Sequence, residues 1–377
     1  MNKTPHEDKL HALNTRGSMQ QKIEAIYEST RLHAPFINRL AVALYDHESD
    51  MLKTFIYAGA EKSPLPHYQF PLKDAFSLSQ TKEQDTPRVI NDLEAFADST
   101  KPHTIELLKA GYLSSYTLPM FFNGSFLGFV FFNSFEKNIF DERVMTELDM
   151  IGHLITLLVY NERSNIRTLL ATVKSALDMT HSRDPETGSH LERMSRYARL
   201  IARELADKYN FSDNYIEHIY LFSPLHDIGK IKTPDHILLK KDKLSVEEFE
   251  VMKKHSADGL QIINSLMENY SLNGVGHVEI LRNITEYHHE AIDGSGYPNG
   301  LKGDQIPIEA RIVTVADIFD ALTSERPYKN AWPTEQAIAK LRELAGIKID
   351  AECVEALLRN LSEVKEIMKH FKENEFG

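Results

Sequence analysis

Between Tyr287 and Lys329 the chain reads YHHEAIDGSGYPNGLKGDQIPIEARIVTVADIFDALTSERPYK, and no other stretch restricts its fold and chemistry as much. Residues 311–322 of this stretch, RIVTVADIFDAL, are apolar almost all round, which predicts a helix buried on every side. Asp317 and Asp320 lie inside it. A buried, unpaired carboxylate costs on the order of several kcal/mol, and a cation offsets that cost. A metal ligand at Asp317 is the simplest account.

His288 and His289 are neighbours, followed by Glu290. Adjacent residues on a helix diverge by about 100°, so both imidazoles reach one ion only where a helix ends or bends. Asp293-Gly294-Ser295-Gly296 supplies that break. Upstream, Glu186 and His190 are four apart after Pro185, which puts them on one face of a predicted helix. His226 and Asp227 are adjacent with Lys230 one turn on, and His255 closes EEFEVMKKH. Glu186, His190, His226, Asp227, His255, His288, His289 and Asp317 thus form a candidate set drawn from separate segments. Imidazole with carboxylate suits Zn, Fe, Mn or Ni rather than Ca or Mg. With 17 histidines in the chain, a lone one such as His218 or His277 carries no such implication.

ETGSH, HDIGK, HHE, DGSGYPNGL, ARIVTVADIFDALTSERPYK and the following Ala331-Trp332 occur in an order and spacing that resembles the HD-GYP subgroup of the HD-domain phosphohydrolases, over roughly residues 169–361. The resemblance implies an all-helical domain holding two or three metal ions, usually iron or manganese. It also implies hydrolysis of cyclic di-GMP to linear pGpG and often on to GMP. By the same resemblance, His190, His226, Asp227 and Asp317 match the first metal's ligands. Asp227, His255, His288 and His289 match the second's, with Asp227 bridging, and Glu186 matches a position that recruits a third metal in some members. Lys230 matches a lysine that steadies the phosphate or leaving oxygen. Arg326 and Lys329 match residues that grip phosphates, and Gly296-Tyr297-Pro298 match the loop over the pocket mouth. The chain departs from the pattern at Ala291-Ile292 and Ile231-Lys232-Thr233, which bear on pocket shape rather than on ligands.

A length of 377 residues and 42% hydrophobic content predict two or three ordinary folded domains. No segment approaches the run of about eighteen apolar residues needed for a membrane helix, and the first residues lack the apolar core of a secretory signal. A single cysteine, Cys353, excludes an intramolecular disulfide. The expected setting is the cytoplasm, without membrane association. A net charge of −12 argues against broad nucleic-acid binding, so a polyanionic substrate must be held by local cations and metals.

Residues 1–17 are polar and expected to be flexible. A helical pattern starts at Ser18, RLAVALYD and MLKTFIYAG read as strands, and Asn123-Gly124-Ser125 between two apolar runs is a strong hairpin signal. This order over residues 18–160 resembles a GAF domain, which implies an α/β sensor with a pocket over one sheet face. Its small-molecule ligand is not legible. The domain contains no cysteine to hold a bilin, Phe140-Asp141-Glu142 is only a fragment of the cyclic-nucleotide signature, and His67 and His103 are lone candidates for haem. An empty dimerisation module is an equal reading.

Residues 141–182 read as one long helix, with 161–182 taken as a signalling helix ahead of the enzyme domain at 183–377. Leu148, Ile151, Ile155 and Leu158 step by three and four, and Leu169, Val173 and Ala176 resume the seam, which predicts a parallel homodimer through this helix. The expected whole is a multidomain α+β chain: GAF-like α/β sensor, connecting helix and all-α HD-type metallohydrolase. Two alternatives accompany it. One is preference for 3′,3′-cyclic GMP-AMP. The other is a catalytically silent dinucleotide receptor or scaffold, disfavoured because the ligand set is complete. Hydrolysis of nucleoside monophosphates is disfavoured by the GYP segment and its basic pair.

Overall fold

The structure is a computed structural model that describes residues 8–15, 17–59, 63–179, 188–269, 277–325 and 331–371. The chain divides into two compact units that meet in sequence between Ser164 and Asn165.

The N-terminal unit opens with α1 (Met19–His33), started by a capping box in which Ser18 and Gln21 satisfy each other's backbone N–H groups. Six strands follow: β1 (Arg39–Asp46), β2 (Met51–Ala58), β3 (Gln69–Pro71), β4 (Arg88–Ile90), β5 (Ser114–Phe122) and β6 (Ser125–Ser134). They form one sheet in the order β3-β2-β1-β6-β5-β4, antiparallel throughout. Asn123 and Gly124 both have positive φ, as the tight β5–β6 turn requires. Helices α2 (Phe76–Gln84) and α3 (Pro102–Lys109) lie in the irregular middle of the unit.

Nearly every residue of β1 is buried because the sheet is covered on both faces. On one face Leu40, Val42 and Leu44 pack with Ile23 and Ile26 of α1, and on the other Ala43 and Tyr45 pack with Leu72, Leu78 and Phe129. Helix α4 (Glu142–Met179) is continuous over 38 residues. Its Leu148 and Ile155 are buried in the sheet core, with Ile151 and Leu158 packed against the same cluster. This part of the seam read as a dimer contact is therefore domain core. The sheet supplies the apolar partner that the three-four stepping demanded. Leu169, Val173 and Ala176 lie outside the residues whose side chains are described.

The C-terminal unit is helical: α5 (Gly188–Glu204), α6 (Ala206–Tyr209), α7 (Asp213–Phe222), α8 (Asp235–Leu238), α9 (Val246–Met252), α10 (His255–Asn269), α11 (Val278–Tyr287), α12 (Ile308–Thr323), α13 (Thr334–Leu344), α14 (Ala351–Arg359) and α15 (Leu361–His370). Its core centres on Tyr197, Phe222 and Phe319, with α12 at the middle and buried on nearly all sides. Among the described residues no helix is long and apolar enough to cross a membrane.

Candidate metal centre

The site assembles from five places in the helical unit. His190 sits on α5, His226 and Asp227 between two short 3-10 turns, His255 at the first position of α10, His288 and His289 just beyond the end of α11, and Asp317 on α12. His255 therefore opens a helix. Helix α11 stops at Tyr287, ahead of the glycine-rich turn, and this frees both histidines from helical spacing. Gly229 makes the assembly possible. A Cβ there would stand 1.8 Å from the His255 carbonyl oxygen and 2.6 Å from the Gly259 nitrogen, so only glycine lets the turn lie against α10.

Two groups of potential ligand atoms result, Asp227 with His255, His288 and His289, and His190 with His226 and Asp317; within each group the atoms lie within 4.8 Å of one another. Asp227 faces both ways. Its Oδ1 is 3.1 Å from His255 Nε2 and 3.4 Å from His288 Nε2, while its Oδ2 is 3.2 Å from His226 Nε2 and 2.7 Å from Lys230 Nζ. His190 Nε2 stands 3.7 Å from Asp317 Oδ1.

The other ring nitrogen of each of four histidines is already committed. Nδ1 of His226 lies 2.9 Å from the Ser223 carbonyl, that of His255 2.8 Å from Met252, and that of His288 3.0 Å from Ile284. A carbonyl only accepts, so each Nδ1 carries the proton and each Nε2 presents a lone pair to the site. His190 Nδ1 is 2.8 Å from Asp320 Oδ2. This is the outer-shell pattern that orients metal-binding imidazoles. His255 and His288 bring their Nε2 atoms within 3.5 Å of each other, and a shared cation removes the repulsion between two such lone pairs. The donor set therefore fits divalent metal ions.

Electrostatics agree with that fit. Burial would raise the Asp227 carboxyl, but the Lys230 ammonium and the His226 imidazole outweigh it and hold the group well below the ordinary carboxylate range. Burial pushes His288 down, against the pull of Asp227, and pushes His289 well down. The centre thus offers an ionised carboxylate beside two imidazoles, His288 and His289, whose protonation burial disfavours.

Sequence reading gave no role to three residues that organise this centre. Asp320 is fully buried, accepts from Arg193 Nε at 2.7 Å and Nη2 at 2.9 Å, and receives the His190 ring on Oδ2. Its position one turn after Asp317 was the available signal. Arg193, one turn after His190, also donates to Ser324 Oγ at 2.6 Å. Glu290 is buried and accepts from the backbone N–H groups of Asn299 at 2.7 Å and Leu301 at 3.0 Å, so it clamps the loop that follows the histidine pair.

That loop carries Gly296, Tyr297 and Pro298. A Cβ on Gly296 would meet the Ala291 nitrogen at 2.2 Å, which explains the glycine. The Tyr297–Pro298 peptide is cis. Tyr297 donates its backbone N–H to the His289 carbonyl at 3.1 Å, and its ring lies 4.8 Å from the His289 ring. Phe249, partly exposed, stands edge-on to Tyr297 at 6.3 Å. The His218 and His277 rings lie tilted against each other with centroids 4.8 Å apart, and neither belongs to the two ligand groups. Glu186, Arg326 and Lys329 lie outside the described residues.

A helical unit gathers histidines and aspartates from five segments around the Asp227 carboxylate, and residues 174–353 match the family model described as HD domain. Over those residues the helical unit is similar to the HD domain family.

Three relatives give the resemblance more detail. The cyclic di-GMP phosphodiesterase response regulator RpfG of Xanthomonas campestris pv. campestris is 44% identical over 189 residues, 50% of this chain and 47% of that protein. A cyclic di-GMP phosphodiesterase of Thermotoga maritima is 40% identical over 197 residues, 52% of this chain and 50% of that protein. A 3′3′-cGAMP-specific phosphodiesterase 2 of Vibrio cholerae is 34% identical over 251 residues, 62% of this chain and 46% of that protein. The chain spans about half the length of these relatives. The GAF domain of a Coxiella burnetii phosphoenolpyruvate-protein phosphotransferase is 13% identical, with a TM-score of 0.34, over 42% of this chain and 91% of that one.

Proposed function

We propose that this chain is a metal-dependent phosphodiesterase that opens the bacterial second messenger cyclic di-GMP to pGpG, and carries it on to GMP, under the control of its N-terminal GAF-like domain. The observation that carries this reading is the convergence of three imidazole Nε2 atoms on the two oxygens of Asp227, each ring fixed from behind by a carbonyl.

In this reading Asp227, His255, His288 and His289 hold one divalent ion, and His190, His226, Asp317 and the second oxygen of Asp227 hold another. Iron or manganese suits this mixture of imidazole and carboxylate, and Glu186 would recruit a third ion. Divalent ions held by these residues would supply Lewis acidity, lowering the pKa of water and offsetting charge on the phosphoryl oxygens. The remaining work falls to side chains. Lys230 places a positive charge beside the bridging carboxylate, facing an anionic phosphate. Arg326 and Lys329 grip the phosphates. Tyr297 offers an aromatic face next to His289, and Gly296 and Pro298 set the loop that presents it.

A second substrate has an observation in its favour. The cyclic GMP-AMP relative aligns over a longer stretch of this chain than the two cyclic di-GMP relatives do. The homodimer is proposed to form through the connecting helix α4, on which Met150 and Leu157 are exposed.

The test is turnover of cyclic di-GMP beside 3′,3′-cyclic GMP-AMP by anaerobically prepared protein with its metals counted. Linear product rising with bound metal supports the reading and ranks the two substrates. A filled site without hydrolysis replaces it with the silent receptor.

A further inference from the structure

The N-terminal unit encloses a cavity of about 490 Å³ against one face of its sheet. That size falls within the range of about 300–1,000 Å³ typical of small-molecule sites. Its chemistry follows from strand register. Arg39 on β1 is paired with Asn133 on β6, and Asn133 with Ser115 on β5, so these three form one row across the sheet. Ala41, Phe131, Thr117 and Arg88 form the row two residues further along, on the same face. Both arginines therefore line the same cavity.

Their partners are neutral. Arg39 is 3% exposed and donates from Nη1 to Asn133 Oδ1 at 2.7 Å. Arg88 donates to Ser77 Oγ at 2.7 Å and Thr117 Oγ1 at 3.2 Å. The Nε atoms of both are buried without a hydrogen-bond partner. Among the described residues no aspartate or glutamate lines the cavity, and neither arginine pairs with a carboxylate. Lys101 adds a third cation to the wall. Burial pulls both arginines down to about 10, so they remain charged at neutral pH. His103 responds to the same environment: burial first, then Arg88 and Lys101, push it down to about 4. The rest of the lining is apolar or aromatic, including Leu52, Phe70, Phe96 and Phe131.

The buried guanidinium of Arg39 and the half-buried one of Arg88, neither with a counter-ion, cost stability unless an anion completes them. We propose that the cavity binds a small organic anion, a carboxylate or phosphate on an apolar, ring-sized body, with the anionic group taken by Arg39 and Arg88 and the body packed on Phe70 and Phe131. This proposal is independent of the hydrolysis proposed above, because its readout is binding.

The experiment is calorimetric titration and thermal melting of the full chain with benzoate, 4-hydroxybenzoate, phenyl phosphate, benzamide and inorganic phosphate. Saturable binding of a carboxylate or of phenyl phosphate, with benzamide and inorganic phosphate much weaker, is expected, and the stronger head group identifies the class. Equal binding of benzamide, binding of inorganic phosphate alone, or binding of none of the five overturns the proposal. Arg39→Gln and Arg88→Gln should each weaken the best anion by about 10- to 100-fold while leaving ligand-free melting unchanged or raised, because each removes a charge without a counter-ion. A large fall in ligand-free melting in both variants would make the arginines structural and sink the assignment. Arg88→Lys, which keeps the charge, should recover part of the affinity.

Discussion

Two sites in this chain, one in each half, gather charge of opposite sign, and in each the imbalance points to the ligand. In the helical half, imidazole Nε2 atoms and an ionised Asp227 turn their lone pairs inward, a surface for cations. In the sheet half, Arg39 and Arg88 turn donors toward a cavity whose described lining holds no acid, a surface for an anion. The metal centre draws on residue types whose pattern is visible along the sequence. The cavity draws on arginines that look ordinary until strand register places them together.

The most severe way to break the contrast is Asp227→Ala. Removing the one carboxylate that faces both ligand groups should strip the metals and abolish turnover together, as read by elemental analysis and product formation. A full metal complement in that variant would take Asp227 out of the bridging role. Chelation should likewise extinguish hydrolysis while leaving anion binding by the sheet domain untouched. Loss of both on chelation would mean that the two regions are not chemically separate.

Lys230→Ala sharpens the account inside the metal centre. It should keep the ions and lower the rate by roughly 10- to 1,000-fold, the usual range for one electrostatic donor. Loss of metal instead would make Lys230 a structural partner of Asp227. Asp320→Asn should weaken metal affinity by about 10- to 100-fold, because His190 loses a charged partner on Nδ1 while Arg193 keeps a polar one. Metal titration reads this, and an unchanged affinity would leave Asp320 serving Arg193 alone. Gly229→Ala should destabilise the helical unit by at least about 1–3 kcal/mol, seen by thermal melting, since the added methyl meets the His255 backbone carbonyl.

Much of the fold was legible because the relevant signals are local. Asn123-Gly124 fixes its hairpin through backbone conformation, and RIVTVADIFDAL announces a buried helix by its composition. The stepping of Leu148, Ile151, Ile155 and Leu158 was equally visible but ambiguous. An apolar stripe demands a partner without naming it, and the partner is the sheet rather than a second helix. Asp320 stayed hidden because its meaning depends on His190, 130 residues away, and on an arginine that charge statistics would leave in solvent. Glu290 stayed hidden because its partners are backbone N–H groups, which sequence does not display. The candidate ligands themselves were nameable from spacing and resemblance, whereas the orientation of each ring by a carbonyl behind it required the structure.

The central claim is that Asp227 and its ring of histidines form a divalent-metal centre that hydrolyses a cyclic dinucleotide. The most direct test counts divalent ions per chain in wild-type and Asp227→Ala protein and follows cyclic di-GMP in the same samples. The account predicts two or three ions and linear product for the wild type, with neither in the variant. Equal metal content in the two proteins, or hydrolysis by a metal-free wild type, would contradict it.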